Sequence, residues 1–292
     1  MTDPWVILSL ISAFTLATSD ALTKRALRGA NEYLVAWFRL IFSMPLLLLI
    51  FFLIPVPKLD AVFFKAFLLA LPLEAATVIL YVKALNRSPL SLTLPFLSFT
   101  PVFLIGISYL ILGETVSIRG AIGILLIAAG SYIVNIGDMR KGILEPIRSL
   151  WKERGALMML GVALIYGFTG PLGKMAIEHS SPLFFGFTYF TALTVIFSPI
   201  ALWYGRADLK NLFAQGSYKR MMAPGILYSC MIISHMIAIS LVQVAYMISV
   251  KRISILIGVV YGYLIFKETN IRERLFGALL MVAGFAAIVT AP

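Results

Sequence analysis

The residues best suited to grip a small charged molecule sit where charge is least at ease, inside long apolar runs. Lys251 and Arg252 are adjacent in Ser249-Val250-Lys251-Arg252, well inside the run from 244 to 266. At 1.5 Å per residue they lie about 10–12 Å along a helix, near the middle of a hydrocarbon core about 30 Å thick. Charges at such depth cost about 2.5–3.5 kcal/mol each on insertion scales, so they persist where they face a cavity or a partner. Neighbouring helical side chains diverge by about 100°, so the pair can border one wide cavity without pointing at a single spot. An anionic group is the natural ligand: Arg252 offers a planar fork for carboxylate or phosphate, and Lys251 a compact charge. The competing reading is internal neutralisation by Glu74 or Asp20.

Glu74, in Leu71-Pro72-Leu73-Glu74, is the acidic residue at mid-span. It serves as a proton carrier if it stands alone and as a static partner if a cation lies beside it. Asp20, a second coupling candidate, precedes Lys24 by four residues and can pair with it on one helix face. Arg39, deep in the second run, is a candidate for substrate contact or helix pairing. Tyr81 and Tyr189 are candidate pocket walls, with Tyr109, Tyr166, Tyr246, Tyr261 and Tyr263 as further aromatics that ordinary packing also explains. His235 is a third coupling candidate because imidazole titrates near physiological pH, although a lone membrane histidine also serves as a helix-packing group. Gln243 and Asn86 have amides able to bond a substrate. Lys24 and Lys174, near helix ends, read as snorkels to the interface.

Nothing nominates covalent chemistry. There is no His-Glu-x-x-His zinc spacing, no phosphate loop and no Gly-x-Ser-x-Gly elbow. A single cysteine, Cys230, within an apolar run leaves no internal disulfide and argues against a thiolate metal site. The expectation is no catalytic residue, no metal and no cofactor.

The elements that hold these residues follow from composition. The 292 residues are 61% hydrophobic and 13% charged, with a mean hydropathy of +0.97, so lipid is the main solvent. The net charge of +11 comes from basic residues between the apolar runs, which points to membrane topology and away from nucleic acid. Punctuation by Gly, Pro and charge gives ten spans, near 5–26, 33–54, 62–85, 89–112, 118–136, 155–177, 183–204, 221–242, 244–266 and 272–290. The first lacks a basic leader region and reads as a retained span. Pro72, Pro95, Pro101, Pro171 and Pro199 can kink their helices, and Gly167-Phe168-Thr169-Gly170-Pro171 is the densest break.

The chain repeats itself. Leu112-Gly113-Glu114-Thr115 ends the fourth span and Phe266-Lys267-Glu268-Thr269 the ninth, 154 residues later, while Lys24 matches Lys174 at an offset of 150. The expected units are 1–136, a basic connecting loop 137–154, and 155–292. Five spans per unit is odd, so tandem copies enter the membrane from opposite sides, the inverted repeat of many secondary transporters. Connections one, three, five, seven and nine hold seventeen Lys and Arg against four on the other side. The positive-inside rule then puts both termini outside the cytoplasm.

These residues resemble the drug/metabolite transporter superfamily, specifically its EamA-type members, over essentially the whole chain. The likeness rests on Pro101 through Gly113-Glu114 with Gly123 and Gly130, on Glu268 with Gly277 and Gly284, on the Lys24/Lys174 pair and on Arg39. Tyr189 stands where a second Arg39 is expected. The resemblance implies gradient- or proton-driven movement, often export, of amino acids, nucleobases, sugars or other metabolites, and eukaryotic relatives imply cytosolic termini, opposite to the charge count. Ser249 to Arg252 is also similar to the Lys-Arg pair with which sugar-phosphate translocators hold phosphate. The resulting expectation is an all-α membrane protein of ten transmembrane helices in two inverted five-helix repeats. It would be a multi-pass protein of a prokaryotic inner membrane, exporting a small anionic or zwitterionic metabolite such as an amino acid or organic acid by alternating access. Its expected partners are that substrate and the bilayer, with protons as candidate coupling ion. A sugar-phosphate exchanger and a lipid head-group enzyme are the alternatives.

Overall fold

The computed structural model of the protein describes residues 3–26, 31–88, 94–136, 144, 147–148, 152–214, 216–266 and 271–291. Glu268 and most of the expected connecting loop therefore lie outside the described residues, as do the side chains of Lys24 and Asn86. The first half contains α1 (Pro4–Ala26), α2 (Glu32–Phe51), α3 (Ala61–Arg87), a 3-10 turn (Leu94–Phe99) running into α4 (Thr100–Leu112), and α5 (Ile118–Asn135). The second contains α6 (Arg154–Glu178), α7 (Pro182–Ala214), a 3-10 turn (Ser217–Met221) leading to α8 (Met222–Leu241), α9 (Val244–Lys251), α10 (Ser254–Phe266) and α11 (Ile271–Val289). No strand occurs among the described residues. Helix is what lipid demands, because each backbone N–H and C=O must be satisfied within its own segment.

Among the described residues eight helical stretches are long and apolar enough to cross a membrane, joined by shorter apolar helices at Ile118–Val134 and Leu275–Val289. The expected ten spans are met within a few residues, with three differences. The fourth, expected from 89, is described from Leu94 and opens as a 3-10 turn before α4, the seventh runs on to Ala214, so that Arg206 and Lys210 belong to its last turns, and the ninth is interrupted after Lys251. Large apolar side chains such as Leu53, Leu68, Leu110, Val195 and Leu264 lie on the outer surface, where lipid takes the place of water. Local signals set the helix ends. Asn31 accepts from the Tyr33 N–H at 3.0 Å, Ser117 accepts from Gly120 at 3.1 Å, and Gly113 closes α4 at φ 70°, the left-handed region that glycine enters at no steric cost. Asp60 caps α3 by accepting from Val62 at 3.0 Å and Phe63 at 2.9 Å.

The two halves interlock. α3 and α4 pack on α6 from the other half, and α8, α9 and α10 pack on α1, so each of two bundles borrows one helix. Between them α5 crosses α11, and α2 lies against α7. The α5–α11 crossing displays the symmetry directly. A Cβ at Gly123 would come within 2.7 Å of the Gly284 carbonyl oxygen and one at Gly130 within 2.4 Å of that of Gly277. Reciprocally, a Cβ at Gly277 would meet the Gly130 oxygen at 2.6 Å and one at Gly284 the Gly123 oxygen at 2.6 Å. Exchanging residues 154 apart turns the first contact into the second, as an antiparallel two-fold requires. Small residues let the backbones approach, which is how membrane helices gain packing energy without a hydrophobic drive.

Two expectations follow. Gly130→Leu or Gly277→Leu forces a side chain into a backbone carbonyl and destabilises the protein by about 1–3 kcal/mol or more; Gly161→Leu, where nothing lies within 4 Å of the added carbon, leaves detergent-solubilised melting near wild type. Asp60 supplies a pH signature, because the Phe63 N–H and then His179 hold its carboxyl below the usual aspartate range. Its stabilisation is present above the unfolded value of about 3.9 and is lost as pH falls through the lower folded value. Melting curves below about pH 4 should thus steepen their decline in wild type relative to Asp60→Ala.

Candidate functional site

The interruption of the ninth span builds the site. After α9 the chain tightens: the Arg252 N–H reaches the Ser249 carbonyl at 3.0 Å, Ile253 reaches Val250 at 3.0 Å, Ile255 reaches Arg252 at 2.9 Å and Leu256 reaches Ile253 at 2.9 Å. These are three-residue bonds, the mark of a 3-10 turn. The first half does the same at the matching place, since Thr100, which opens α4 after the 3-10 turn, precedes Ser254, which opens α10, by 154 residues. In inverted-repeat transporters, helices interrupted at corresponding positions border the substrate path.

The turn sets its two cations among groups from both bundles. Lys251 Nζ lies 3.4 Å from His235 Nδ1, within hydrogen-bonding distance. Its amine also lies in the field of two carboxylates, Asp20 from α1 and Glu74 from α3, and of Arg252 and Arg39. Asp20 is held by Arg39 at 2.5 Å, and the Arg39 guanidinium lies 4.4 Å from the centre of the Tyr228 ring, a cation–π contact. Glu74 faces the hydroxyls of Thr169 and Tyr189. Tyr81 stands near Asp20, Arg39 and Arg252, and Tyr166 near Glu74 and Arg252. Arg252 Nε is buried with no hydrogen-bond partner among the described residues. The Asp20 and Arg39 side chains are nonetheless 55% and 27% exposed. Asp20 lies in the last turns of α1 and Arg39 early in α2, both toward the face opposite the chain ends.

The structure brings together Lys251, Arg252, Arg39, Tyr81, Glu74, Asp20 and His235. Tyr189 is adjacent but sits in the wall: it stacks on Phe185 at 4.9 Å between ring centres, donates to the Ala70 carbonyl at 3.2 Å and is 5% exposed. Asp20 meets Arg39, a partner the sequence did not announce, while the side chain of Lys24 lies outside the described residues. Two groups escaped the sequence reading, Tyr228 and Thr169, because a tyrosine and a threonine in apolar helices carry no periodic signal of their own. Gly167 and Gly170 lie in a continuous α6, where they admit Ile107 and Phe103 of α4 and Val244 of α9 at close range. They serve helix packing there.

Lys174 corrects the interfacial reading. It is 8% exposed, meets Glu114 Oε1 at 2.5 Å and donates to the Val242 carbonyl at 2.8 Å. The second oxygen, Glu114 Oε2, accepts from the Val244 N–H at 2.9 Å. The ion pair lies within one bundle, between α6 and the end of α4. Its remaining hydrogen bonds clasp the α8–α9 connection of the other bundle. This clasp lies at the face that bears both chain ends, on which His179 Nδ1 also meets Asp60 Oδ2 at 2.7 Å.

Comparison with known proteins matches the same architecture. The model of the EamA-like transporter family matches the chain twice, over residues 3–136 and 153–290. A solved structure described only as a crystal structure of a protein superposes with a TM-score of 0.76 at 11% identity, covering 97% of this chain and 95% of the other; at that identity the likeness is one of fold. No curated protein matches.

The clasp makes a prediction. In a Cys230→Ser background, a cysteine at Ala245, which is 1% exposed, should react slowly with an impermeant maleimide added on the face of the chain ends. Glu114→Gln removes charge-assisted hydrogen bonds of about 1.5–3 kcal/mol and should speed labelling about tenfold or more. An unchanged rate would make the pair a packing element only.

Proposed function

The chain belongs to the EamA-like transporter family, and on that premise we propose that it is a secondary active exporter of a small anionic or zwitterionic metabolite, such as an amino acid or organic acid. The observation that carries the reading is the seat of Lys251 and Arg252 at the tightened turn of the ninth span, facing carboxylates from both bundles. Charge set at an irregular turn between two movable bodies is suited to holding a ligand at the midplane.

Alternating access then consists of rocking the two bundles about the α5–α11 crossing. In this state the Lys174–Glu114 clasp shuts the face of the chain ends, while Asp20 and Arg39 meet water from the opposite face. The loop charges assign that opposite face to the cytoplasm, which makes this the loading state of an exporter. The substrate's anionic group displaces water at Lys251 and Arg252, with Tyr81 and Tyr166 beside it. The Tyr228 ring steadies Arg39, and Tyr189 positions Glu74 without touching the ligand. Glu74, close enough to Lys251 to share its field, is the group that exchanges a proton during the cycle, with Asp20 and His235 tuning Lys251.

The test is flux in proteoliposomes against a panel of amino acids and organic acids. Lys251→Gln and Arg252→Gln should each lower counterflow of the transported compound about tenfold or more, the range for losing a charged hydrogen bond. Glu74→Gln should retain exchange and lose its response to an imposed pH gradient. Full flux in both cation variants would remove the cluster from the transport path.

A further inference from the structure

We infer that the end of α7 and the 3-10 turn after it form a docking site for the headgroup of an anionic phospholipid, in the leaflet on the face opposite the chain ends. The inference does not draw on the charged cluster and stands apart from the transport reading.

Length and register place the site. The 33 residues of α7 span about 50 Å at 1.5 Å each, well beyond a hydrocarbon core about 30 Å thick. α7 runs antiparallel to α2: Trp37 Nε1 donates to Ser198 Oγ at 2.8 Å, and Tyr204 stacks on Tyr33 at 4.8 Å between ring centres. Continued straight, the stretch from Tyr204 to Phe213 would carry the chain about 13 Å past the start of α2. The Phe213 ring instead lies 6.1 Å from that of Phe38, well inside α2. The extension therefore leans across the start of α2 and stays at the membrane surface. Gly205 permits the close approach, because a Cβ there would collide with the Leu34 side chain.

The extension has two faces. Gly205, Leu209 and Leu212, three to four residues apart, turn toward Leu34, Phe38 and Met221. Trp203, Arg206, Lys210 and Phe213 recur at the same spacing on the outer face, and all four are exposed. In the 3-10 turn Tyr218 packs on Phe213 at 4.9 Å between ring centres and Met221 is buried, while Lys219 and Arg220 between them are exposed. The Arg206 guanidinium lies 5.3 Å from the centre of the Trp203 ring, which leaves its N–H edge free to donate. Asp208 projects about 160° around the helix from both Arg206 and Lys210. Among the described residues none of the four cations has an ion-pair partner.

Cations unanswered by acid, beside the exposed rings of Trp203, Tyr204 and Phe213, are what an interfacial helix presents to anionic headgroups: the rings sit at the glycerol level and the N–H donors reach phosphate. Topology alone would put cations on this face, but it would not gather them with aromatic rings on one folded-over helix. A free phosphate has no acyl chain for those rings to meet, so the occupant is the lipid. Phe38 directly precedes Arg39, so the platform bears on the helix that carries Arg39 to Asp20.

The test titrates the full chain in detergent with dioleoylphosphatidylglycerol, dioleoylphosphatidylcholine and inorganic phosphate while melting is followed. The expected result is stabilisation by the phosphatidylglycerol at concentrations where the other two give none. Arg206→Gln combined with Lys210→Gln should raise the concentration for half-maximal effect about tenfold or more. Lys83→Gln combined with Arg87→Gln, exposed cations at the end of α3 on the same face, should leave it unchanged. A second readout needs no cation variant. In phosphatidylcholine bicelles seeded with phosphatidylglycerol brominated near its glycerol backbone, tryptophan emission should be quenched more than by equally brominated phosphatidylcholine, and Trp203→Phe should abolish the difference. Equal losses in the two double variants would reduce the attraction to a diffuse property of the face and overturn the site. So would stabilisation by inorganic phosphate matching that by phosphatidylglycerol, equal effects of the two lipids, no effect of either, or selective quenching that survives Trp203→Phe.

Discussion

Charge inside a membrane body must be answered by charge or by water, and most of the interior of this protein is arranged by that demand. Five ionisable groups on α1, α2, α3, α9 and the turn after it are too costly to leave singly in lipid. Arg39 and Asp20 answer each other within the first half, Lys251 and Glu74 answer each other across the bundles, and tyrosines supply ring faces and hydroxyls around them. The same demand at the closed face is met differently. There Lys174 and Glu114 spend their spare hydrogen bonds on the backbone of the α8–α9 connection, where the helical ladder is broken and a carbonyl and an N–H are free to be claimed. A helix end that would otherwise leave orphan groups becomes a latch.

Symmetry explains why the latch and the charged turn can work together. The glycine crossing of α5 and α11 lets two antiparallel backbones touch at two points exchanged by the pseudo-two-fold. That makes it a stiff axis, and the bundles on either side are each built from both halves. On the proposed rocking reading, a displacement that opens one face closes the other without breaking the within-bundle packing of α3 and α4 on α6 or of α8 to α10 on α1.

Much of this was legible in the residues. Span positions follow from apolar length, and the inverted repeat follows from Glu114 and Glu268 at a fixed offset with an odd number of spans between copies. Lys251, Arg252, Arg39, Asp20 and Glu74 are conspicuous because charge in an apolar run has few explanations. Partnerships were not legible. Lys174 looked interfacial because helix position alone says nothing of Glu114, sixty residues away in the chain. Asp20 had a local candidate by spacing in Lys24, and nothing in the spacing pointed to Arg39 on the next helix, which it meets. The turn after Lys251 has no proline or glycine to announce it. The matching turn in the first half, with Pro95 and Pro101, carries the signal that the second half lacks.

The two matched turns are alike in geometry and unlike in chemistry, and that division bears on how such a protein acquires a substrate. In the first half the 3-10 turn holds Ser98, whose hydroxyl bonds that of Ser131 at 2.6 Å in a buried, uncharged contact. At the corresponding place in the second half stands Arg252. A rocking mechanism needs the two halves to bend alike, so the backbone interruption is kept in both. Recognition needs no such symmetry, because a small metabolite has two different ends, and a cation repeated at both turns would face no second anion. On the proposed reading, gating falls to the features the halves share and selectivity to those in which they differ: Arg252 against Ser98, and Arg39 against Tyr189. On that reading a change of substrate requires altering one turn and its neighbours, with the axis and the latch left as they are.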